Sequence, residues 1–255
     1  MKFIIFLILV LSNFSLLAQK DTVESKVYVW NNLKVSKEDT RERRQIAEGS
    51  GAVLAYMEWH TTSIAPGTSP HTSHKHEEEE LIIIKEGQVK VTIKDSSKVL
   101  GPGSMALFIP GDEHGLFNAG ATKATYYVLR YKSKAPVDME RAKKAGGSFM
   151  VDWNSITFRP HDKGGIRNFF ERPTAMLKRF EMHVTTLKAG IKSHEPHTHG
   201  AEEIVLLVDG NSEMQIAKSF QKANEGDLIY LSSNISHAIQ NIGTNKATYF
   251  AFQWQ

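Results

Sequence analysis

The chain has 255 residues, a formal net charge of +3 and no cysteine. It therefore contains neither a disulfide framework nor a thiolate metal site, and any metal ion must be held by histidine and carboxylate side chains. Basic residues are spread along the chain and do not form a block, which argues against a nucleic-acid-binding surface. The length is sufficient for two domains of ordinary size, each with its own hydrophobic core.

The first 18 residues have the layout of a secretory signal peptide. Lys2 precedes an apolar run from Phe3 to Leu11, and the small residue Ala18 offers a cleavage position. The run falls short of the roughly 20 apolar residues that a membrane span needs. We therefore expect cleavage and export, to the periplasm or outside the cell, and not an uncleaved membrane anchor. The mature chain keeps 30 bases against 28 acids, a net charge of +2, and we expect no membrane contact.

The rest of the chain contains the same pattern twice, with an offset of 123 residues and no gap. Chemically distinctive residues recur in register. The matched pairs include Trp30/Trp153, Arg44/Arg167, Glu48/Glu171, Glu58/Glu181, His60/His183, His71/His194, His74/His197, His76/His199, Glu79/Glu202, Glu80/Glu203, Gly87/Gly210, Gly103/Gly226, His114/His237 and Asn118/Asn241. Chance does not reproduce so many spaced positions, so we predict a duplicated domain with units at residues 28–132 and 151–255.

Within each unit, short apolar runs rich in β-branched residues alternate with turn signals, which predicts strands. These runs cover residues 81–84, 89–93 and 105–109 in the first unit, and 204–208 and 228–231 in the second. The connector, residues 133–150, predicts a short helix after Pro136 that ends at Gly146 and Gly147. Units made almost entirely of short strands favour a small antiparallel barrel or jelly roll.

Three histidines and one glutamate in each unit have the composition of a metal site. In an unbroken strand, His74, His76 and Glu80 share parity and point into the barrel. His114 would then join them from a second strand, after the turn at Pro110. Imidazoles with one carboxylate suit a divalent first-row ion, and Mn²⁺, Fe²⁺, Ni²⁺ and Zn²⁺ all stay open. Four protein ligands leave one or two coordination positions free, which catalysis requires.

The spacing His-x-His-x3-Glu-x6-Gly, followed by Gly-x10-His-x3-Asn, resembles the two signature motifs of the cupin superfamily in both units. The chain looks like a bicupin, and the resemblance implies an all-β protein of two tandem double-stranded β-helix (jelly-roll) barrels joined by a short helical linker. It also implies a metal ion in each domain, with the ligands His74, His76, Glu80, His114, His197, His199, Glu203 and His237. The second unit has Ser232 and Ser233 where the first has Pro110 and Gly111, so we expect its turn to differ.

Other repeated polar residues surround these ligands, and their roles depend on the face that they occupy. Glu58, His60, Glu181 and His183 are candidate catalytic residues if they face inward, either as partners of the metal ligands or as general acid and base. If they face outward, they form ordinary cross-strand charge pairs.

The roles of three further pairs of repeated residues depend on the fold. The parity of His71 and His194 predicts a rim position, either as solvated turn residues or in contact with substrate. For Arg44 and Arg167 we favour ion pairs with the repeated Glu48 and Glu171 over binding of an anionic substrate. Of the recurring neighbours Glu79 and Glu80, we take Glu80 as the ligand, although a β-bulge would exchange the two.

The expected function is that of a metal-dependent enzyme, of the dioxygenase or decarboxylase type, acting on a small organic acid or a sugar-derived metabolite. Two alternatives stay open: a non-catalytic bicupin that binds a metal or ligand, and a sugar-acid isomerase or lyase. The expected partner is a small-molecule substrate, and a homo-oligomer is compatible with the sequence. The fold hosts many chemistries, so the motifs constrain the reaction far less than the fold.

Overall fold

The structure, a computed structural model, describes residues 21–255. The predicted signal peptide, residues 1–18, lies outside the described residues. The strands of the first half are β1 Lys26–Tyr28, β2 Lys34–Lys37, β3 Arg41–Gly49, β4 Leu54–Ile64, β5 Glu79–Glu86, β6 Val89–Ile93, β7 Ser96–Leu100, β8 Met105–Phe108, β9 His114–Asn118 and β10 Ala124–Ser133. Those of the second half are β11 Phe149–Val151, β12 Arg159–His161, β13 Gly164–Arg172, β14 Phe180–Leu187, β15 Glu202–Asp209, β16 Asn211–Ile216, β17 Ser219–Asn224, β18 Leu228–Leu231, β19 His237–Asn241 and β20 Ala247–Trp254. Helical elements within the described part are 3-10 turns at Trp30–Asn32 and Trp153–Ser155 and the helix α1 at Met139–Lys144.

The strands form two barrels of the same design, each built from a seven-stranded and a three-stranded antiparallel sheet. In the first barrel the strand orders are β11-β8-β5-β10-β4-β3-β2 and β7-β6-β9. In the second they are β1-β18-β15-β20-β14-β13-β12 and β17-β16-β19. Two antiparallel sheets that pack around one core in this way form a jelly roll, so the predicted all-β architecture is confirmed. The runs predicted as strands all lie in strands, although β8 ends one residue early, at Phe108.

The connector contains the short helix that its sequence predicts. The side chain of Asp138 accepts a 2.8 Å hydrogen bond from the backbone N–H of Arg141, which satisfies one free donor of the first turn of α1. Gly146 and Gly147 follow the helix with positive φ, as helix-terminating glycines do. Among residues 21–255, no helix is both long enough and apolar enough to cross a membrane.

Each barrel completes its larger sheet with a strand from the segment that precedes the other barrel. β1 precedes the first barrel and pairs with β18 of the second, whereas β11 precedes the second and pairs with β8 of the first. The two registers are equivalent, with Val27 opposite Ile229 and Met150 opposite Ala106. This exchange ties the barrels together through backbone hydrogen bonds, and β11 straddles the domain boundary predicted at residue 150.

Buried side chains form one core inside each barrel and a third core between the barrels. Along β5, Ile82 faces the interior of the first barrel, whereas Leu81 faces the second barrel. Because both faces of β5 are buried, the strand has a continuous apolar run and no polar alternation. In the core between the barrels, Trp59 is 1% exposed and its ring lies 5.0 Å from that of Tyr230.

The repeated glutamates Glu79 and Glu202 join the two barrels reciprocally. Glu79 accepts hydrogen bonds from the hydroxyl of Thr174 at 2.6 Å and from the backbone N–H of Ala175 at 2.7 Å, both in the second half. Glu202 accepts from the backbone N–H groups of residues 52 and 53, in the first barrel, at 2.9 and 3.1 Å. These carboxylates therefore stabilise the interface, which leaves the following glutamate of each pair free to face the barrel interior.

The turn before the third motif histidine is alike in both barrels, so the difference expected from Ser232 and Ser233 is wrong. At the offset of 123 residues, the places of Pro110 and Gly111 are taken by Ser233 and Asn234, one position later than expected. Asn234 and Gly111 both have positive φ, 61° and 78°. The N–H of each donates to the carbonyl oxygen of the second motif histidine, at 2.8 and 2.9 Å. Asparagine tolerates the left-handed conformation better than most other residues with a side chain, and the turn therefore keeps its shape.

Candidate metal centres

Three imidazoles and a carboxylate converge in the first barrel. Ring nitrogens of His74, His76 and His114 lie within 4.8 Å of one another, close enough to hold a single ion. The carboxylate oxygens of Glu80 lie 3.3 Å from Nε2 of His76 and 3.9 Å from Nε2 of His114. The structure thus brings together all four ligands predicted in the first unit.

A backbone bridge, and not an unbroken strand, positions these histidines. The N–H of His74 donates to the carbonyl oxygen of His114 at 3.0 Å, and the reverse hydrogen bond measures 2.9 Å. β5 begins only at Glu79, so residues 75–78 are not a strand, and the assumption of an unbroken strand for His74 and His76 was wrong. His114 begins β9, which confirms that it comes from a second strand.

The second barrel repeats this arrangement with shorter contacts. His197, His199 and His237 also place their ring nitrogens within 4.8 Å of one another. The backbone groups of His197 and His237 form the same bridge, with hydrogen bonds of 3.2 and 3.0 Å. Oε2 of Glu203 lies 3.1 Å from Nε2 of His199 and 3.2 Å from Nε2 of His237. The second predicted ligand set is therefore complete as well.

Hydrogen bonds on the far side of each ring determine which nitrogen faces the first centre. Nδ1 of His76 lies 3.0 Å from the carbonyl oxygen of Glu78, and Nδ1 of His114 lies 3.0 Å from that of Asp112. Because a carbonyl oxygen can only accept, each Nδ1 carries a proton and the Nε2 of the neutral ring offers a lone pair. Both Nε2 atoms are buried and have no hydrogen-bond partner among the described residues.

The hydrogen bonds on the far side of the rings recur in the second centre. Nδ1 of His199 and Nδ1 of His237 each donate at 2.9 Å to a carbonyl oxygen, that of Ala201 and that of Ile235. Nε2 of His237 is buried and has no hydrogen-bond partner among the described residues, so it offers a lone pair towards Glu203. Nε2 of His199 lies 3.1 Å from a carboxylate oxygen of Glu203 and donates to it when the ring carries both protons. Lone pairs that converge on an anion repel it unless a proton or a cation lies between them. The donor set therefore fits a divalent cation in each barrel.

The pKa values in both centres reflect this crowding of carboxylate and imidazole. Burial raises the pKa of the Glu203 carboxyl, but its two neighbouring histidines outweigh burial and lower the pKa to about 2. The pKa of Glu80 is lowered for the same reason. Burial, followed by the neighbouring His71, lowers the pKa of His74 to about 4. The hydrogen bond to Glu203 raises the pKa of His199, so a metal ion that binds there must displace a proton as the pH falls.

The predicted catalytic pair of the first barrel faces the barrel interior. Glu58 and His60 line a cavity of about 300 Å³ together with His74 and Glu80. Nδ1 of His60 lies 3.6 Å from a carboxylate oxygen of Glu58. Burial, followed by the positive charge of Arg43, lowers the pKa of His60 to about 3, so its imidazole is neutral at physiological pH.

The corresponding pair of the second barrel is in closer contact. Nδ1 of His183 lies 2.5 Å from a carboxylate oxygen of Glu181, and a guanidinium nitrogen of Arg179 lies 3.7 Å from the same carboxylate. The side chains of His183 and Glu181 are 22% and 17% exposed, so solvent reaches the pair only in part. In both barrels the imidazole and the carboxylate stand two residues apart on one strand and thus share a face.

His71 and His194 lie beside the two centres, in the rim position that their parity predicts. The ring of His71 meets that of His74 edge-on at 4.3 Å, and the ring of His194 meets that of His197 at 4.2 Å. His71 is exposed and lines the same cavity as the first centre. Its imidazole therefore contacts both the solvent and the cavity.

Arg44 does not form the predicted ion pair with Glu48. A β-bulge separates the two, so Arg44 lies opposite Thr61 on β4, whereas Glu48 lies opposite Glu58. Because Thr61 and Glu58 are three residues apart on one strand, they point to opposite faces of the sheet. Arg44 pairs instead with Glu42, at 3.0 Å.

The second unit departs from the prediction in the same way. Glu171 accepts a 2.7 Å hydrogen bond from Arg179, and not from Arg167. The guanidinium of Arg167 lies 4.5 Å from the ring of Trp153, and its counterpart in the first unit makes the same stacking contact at 4.8 Å. These repeated arginines therefore stabilise the repeated tryptophans.

Three arginines that the repeat does not predict line the cavity of the first centre, namely Arg41, Arg43 and Arg130. They have no arginine counterparts 123 residues later, so a search for repeated residues passes over them. Their spacing could have indicated a shared site: Arg41 and Arg43 stand two residues apart on one strand, which places both side chains on the same face of the sheet.

The fold and the paired histidine centres define a bicupin with room for a metal ion in each barrel. A cupin-domain family model matches residues 60–130 and 183–252, which together make up more than half of the chain. The chain therefore belongs to the cupin family, as its motifs predicted. No curated protein sequence matches it significantly.

Several solved structures share the fold of the whole two-barrel protein. AerE from Microcystis aeruginosa is 17% identical, with a TM-score of 0.69 over 90% of this chain and 98% of its own. The oxalate decarboxylase of Lactobacillus farciminis, in its formate complex, is 14% identical, with a TM-score of 0.69 over 91% and 87% of the two chains. A putative glyoxylate-induced protein from Pseudomonas aeruginosa is 14% identical, with a TM-score of 0.70 over 92% and 91%. At these identities the likeness establishes the fold alone.

Proposed function

We propose that this bicupin is a metal-dependent enzyme of the dioxygenase or decarboxylase type that acts on a small organic acid or a sugar-derived metabolite. One observation carries the proposal: in each barrel three imidazoles converge beside a buried carboxylate, and in the first barrel the ring nitrogens of His76 and His114 that face it have no hydrogen-bond partner among the described residues. His74, His76, Glu80 and His114 would hold one divalent first-row ion, and their counterparts in the second barrel would hold another. When bound, such an ion supplies Lewis-acid polarisation of a substrate oxygen and, if it is redox-active, electron transfer.

The residues around the first centre support a catalytic role over simple storage of a metal ion. The cavity next to the ligands provides room for a small molecule, and Leu116 and Val128 contribute apolar wall to it. Apolar walls exclude water and so strengthen the electrostatic interactions inside the cavity. Glu58 accepts a 3.1 Å hydrogen bond from the hydroxyl of Tyr56 and an ion pair from Arg43, so its carboxylate is held in place.

The neutral imidazole of His60 adds a second polar group on the same strand. Its Nδ1 is buried and has no hydrogen-bond partner among residues 21–255. A substrate hydroxyl or carboxyl group in the cavity could use this nitrogen, so we assign His60 the role of orienting substrate or exchanging a proton with it.

Metal content after expression in metal-supplemented medium is the first test. We expect close to two equivalents per chain, and close to one in each of the variants His76→Ala and His199→Ala. The variant His161→Ala removes an exposed histidine of β12 and serves as the matched control, with unchanged metal content. Near-zero metal in the native chain would contradict the proposal, and unchanged metal in both variants would contradict the ligand assignment.

Activity assays then address the reaction type. Oxygen consumption and product formation would be measured over a panel of organic acids, polyphenols and sugar acids. Oxygen uptake favours the oxygenase branch, and carbon dioxide release without oxygen uptake favours the decarboxylase branch. A fully metallated protein that turns over none of these compounds would instead favour a metal- or ligand-binding role.

Export is a separate proposal that rests on the layout of the first 18 residues alone. Expression of the full-length gene with its N-terminus intact should yield a mature protein that begins near Gln19, outside the cytoplasmic fraction. Mass spectrometry of the secreted or periplasmic protein measures that terminus. An intact N-terminus in the cytoplasm would contradict the proposal.

A further inference from the structure

The cavity beside the first metal centre carries positive charge that the repeat does not explain. Arg41 and Arg43 come from β3, and Arg130 comes from β10. On the neighbouring strands, Arg43 lies opposite Thr62 and Arg130 lies opposite the predicted ligand Glu80. Directly opposed residues share a face of the sheet, so these guanidinium groups and the metal ligands face the same interior.

The second barrel has the same strands in the same register but lacks these charges. The residues at the equivalent places are Gly164, Ile166 and Gln253. Ile166 lies opposite Thr185 and Gln253 lies opposite Glu203, which reproduces the pairing of the first barrel. The strand register is therefore the same at the two sites, and the residues at these three places differ in charge. Arg179, the arginine beside the second centre, already pairs with Glu171 and Glu181.

Two of the three arginines already have carboxylate partners. Arg41 donates two hydrogen bonds to the carboxylate of Glu38, at 2.7 and 2.8 Å. Arg43 forms an ion pair with Glu58. By contrast, Nε of Arg130 is buried and has no hydrogen-bond partner among the described residues. A buried donor of a charged group is unfavourable unless another molecule supplies an acceptor.

We propose that the first barrel binds the carboxylate group of its substrate at Arg130, beside the first metal centre, and that the second barrel takes no anionic substrate. This inference deepens the proposed function and rests on it in treating the cavity as the substrate site. The two centres have the same predicted ligands but would differ in substrate. The first has an arginine without a carboxylate partner beside its metal site, and the second has Gln253 at that place.

The chemistry of the ligand follows from the charge and size of the cavity. A guanidinium matches a carboxylate in a planar, two-point geometry. One guanidinium without a carboxylate partner balances a single negative charge, and Glu58 in the same cavity repels additional charge, which favours a carboxylate over dianionic phosphate. The volume of about 300 Å³ lies at the small end of ligand pockets. The expected substrate is therefore a small carboxylic acid.

Calorimetric titration of the full-length, metal-supplemented protein with glycolate tests the inference, with the neutral glycolamide and inorganic phosphate as comparison probes. We expect one glycolate per chain and at least tenfold weaker binding of glycolamide and of phosphate. Arg130→Gln introduces the residue that the second barrel carries, and should weaken glycolate binding at least tenfold, about 1.4 kcal/mol. Arg159→Gln removes the same charge at an exposed position of β12 and should leave binding unchanged.

A second variant distinguishes loss of recognition from loss of fold. Arg130→Lys keeps the charge and removes the planar fork, so it should bind glycolate more tightly than Arg130→Gln and less tightly than the native chain. Absence of glycolate binding to the native chain, equal binding to Arg130→Gln, or two equal sites per chain would each overturn the inference. Tighter binding of phosphate than of glycolate would also overturn it.

The activity assays separate this inference from the proposed function. Glycolate binding that depends on Arg130, in a protein that turns over no acid, would contradict the enzyme proposal and leave the carboxylate site in place. Turnover of an acid with unchanged KM and kcat in Arg130→Gln would contradict the carboxylate site and leave the enzyme proposal in place.

Discussion

Replacement of Glu202 by glutamine tests how strongly the two barrels depend on each other. Glu202 is 1% exposed, and its carboxylate accepts four hydrogen bonds. Oε1 accepts from the N–H of Ala52 and from the hydroxyl of Tyr230, and Oε2 accepts from the N–H of Val53 and from Nε1 of Trp254. An amide of the same shape offers only one acceptor oxygen, so one pair of donors must face an NH2 group.

The magnitude follows from the donors that lose their acceptor. If the amide nitrogen replaces Oε1, the hydroxyl of Tyr230 can rotate and accept, because a hydroxyl is both donor and acceptor. The N–H of Ala52 cannot reverse and becomes a buried donor without a partner. An unsatisfied buried donor costs about 1–3 kcal/mol, and the remaining hydrogen bonds lose the extra strength of a charged acceptor. We expect a total loss of about 3 kcal/mol, which lowers the melting temperature by roughly 6–12 °C in a chain of this size.

Guanidinium unfolding monitored by tryptophan fluorescence, together with thermal melting, measures this loss. Glu195→Gln is the matched control, since that side chain is 85% exposed and its contact with Lys192 is a surface ion pair. A free energy of unfolding for Glu202→Gln within about 0.5 kcal/mol of the control would refute the reasoning, because surface substitutions alone produce changes of that size.

Three further predictions concern the backbone, the metal and pH. Gly103→Ala should lower the free energy of unfolding by about 2–4 kcal/mol, because the φ of +81° is strained for alanine and its Cβ would clash with the ring of Trp153. Gly101→Ala is the control, since its Cβ would meet nothing within 4 Å. Equal melting temperatures of the two variants would contradict the predicted strain at Gly103. Removal of metal by a chelator should lower the melting temperature, since a ligand at a hundredfold excess over its Kd stabilises the folded state by about 2.7 kcal/mol; an unchanged melting curve would count against metal binding. In chelator-treated protein, stability should fall as the pH drops from about 6.5 towards 3, because unfolded His60 takes up a proton in that range and the folded residue, with a pKa of about 3, does not. His60→Gln should reduce this slope by about 1.4 kcal/mol per pH unit, and an unchanged slope would contradict the buried, neutral state of His60.

The fold could be predicted because the sequence repeats residues with distinctive chemistry at fixed spacing. His74, His76, Glu80 and His114 recur in register. That recurrence indicated the duplication, supported the resemblance to cupins that implied the barrel class, and predicted the ligand set. The four side chains do converge, as predicted, although the unbroken strand that was expected to bring them together does not exist. His74 and His76 do not belong to a long strand, and a backbone bridge to His114 performs the positioning.

Errors arose where the prediction depended on strand parity through an irregular segment. The ion pair between Arg44 and Glu48 failed because a β-bulge shifts the register between them by one residue, which moves one side chain to the other face. The turn at Asn234 was expected to differ because Ser232 and Ser233 were aligned with Pro110 and Gly111, one residue out of register. The left-handed conformation that the turn requires is also accessible to asparagine.

The sequence by itself determined the family, the two-barrel plan and the eight candidate ligands, because these follow from residue identity and linear spacing. Only the tertiary structure revealed the exchange of β1 and β11, the reciprocal contacts of Glu79 and Glu202, and the arginines beside the first centre. Each of these depends on which distant strands become neighbours and in which register they pair. Arg130 shows the reason most directly, since it is separated from Glu80 by most of the barrel in sequence, yet lies opposite it in the sheet.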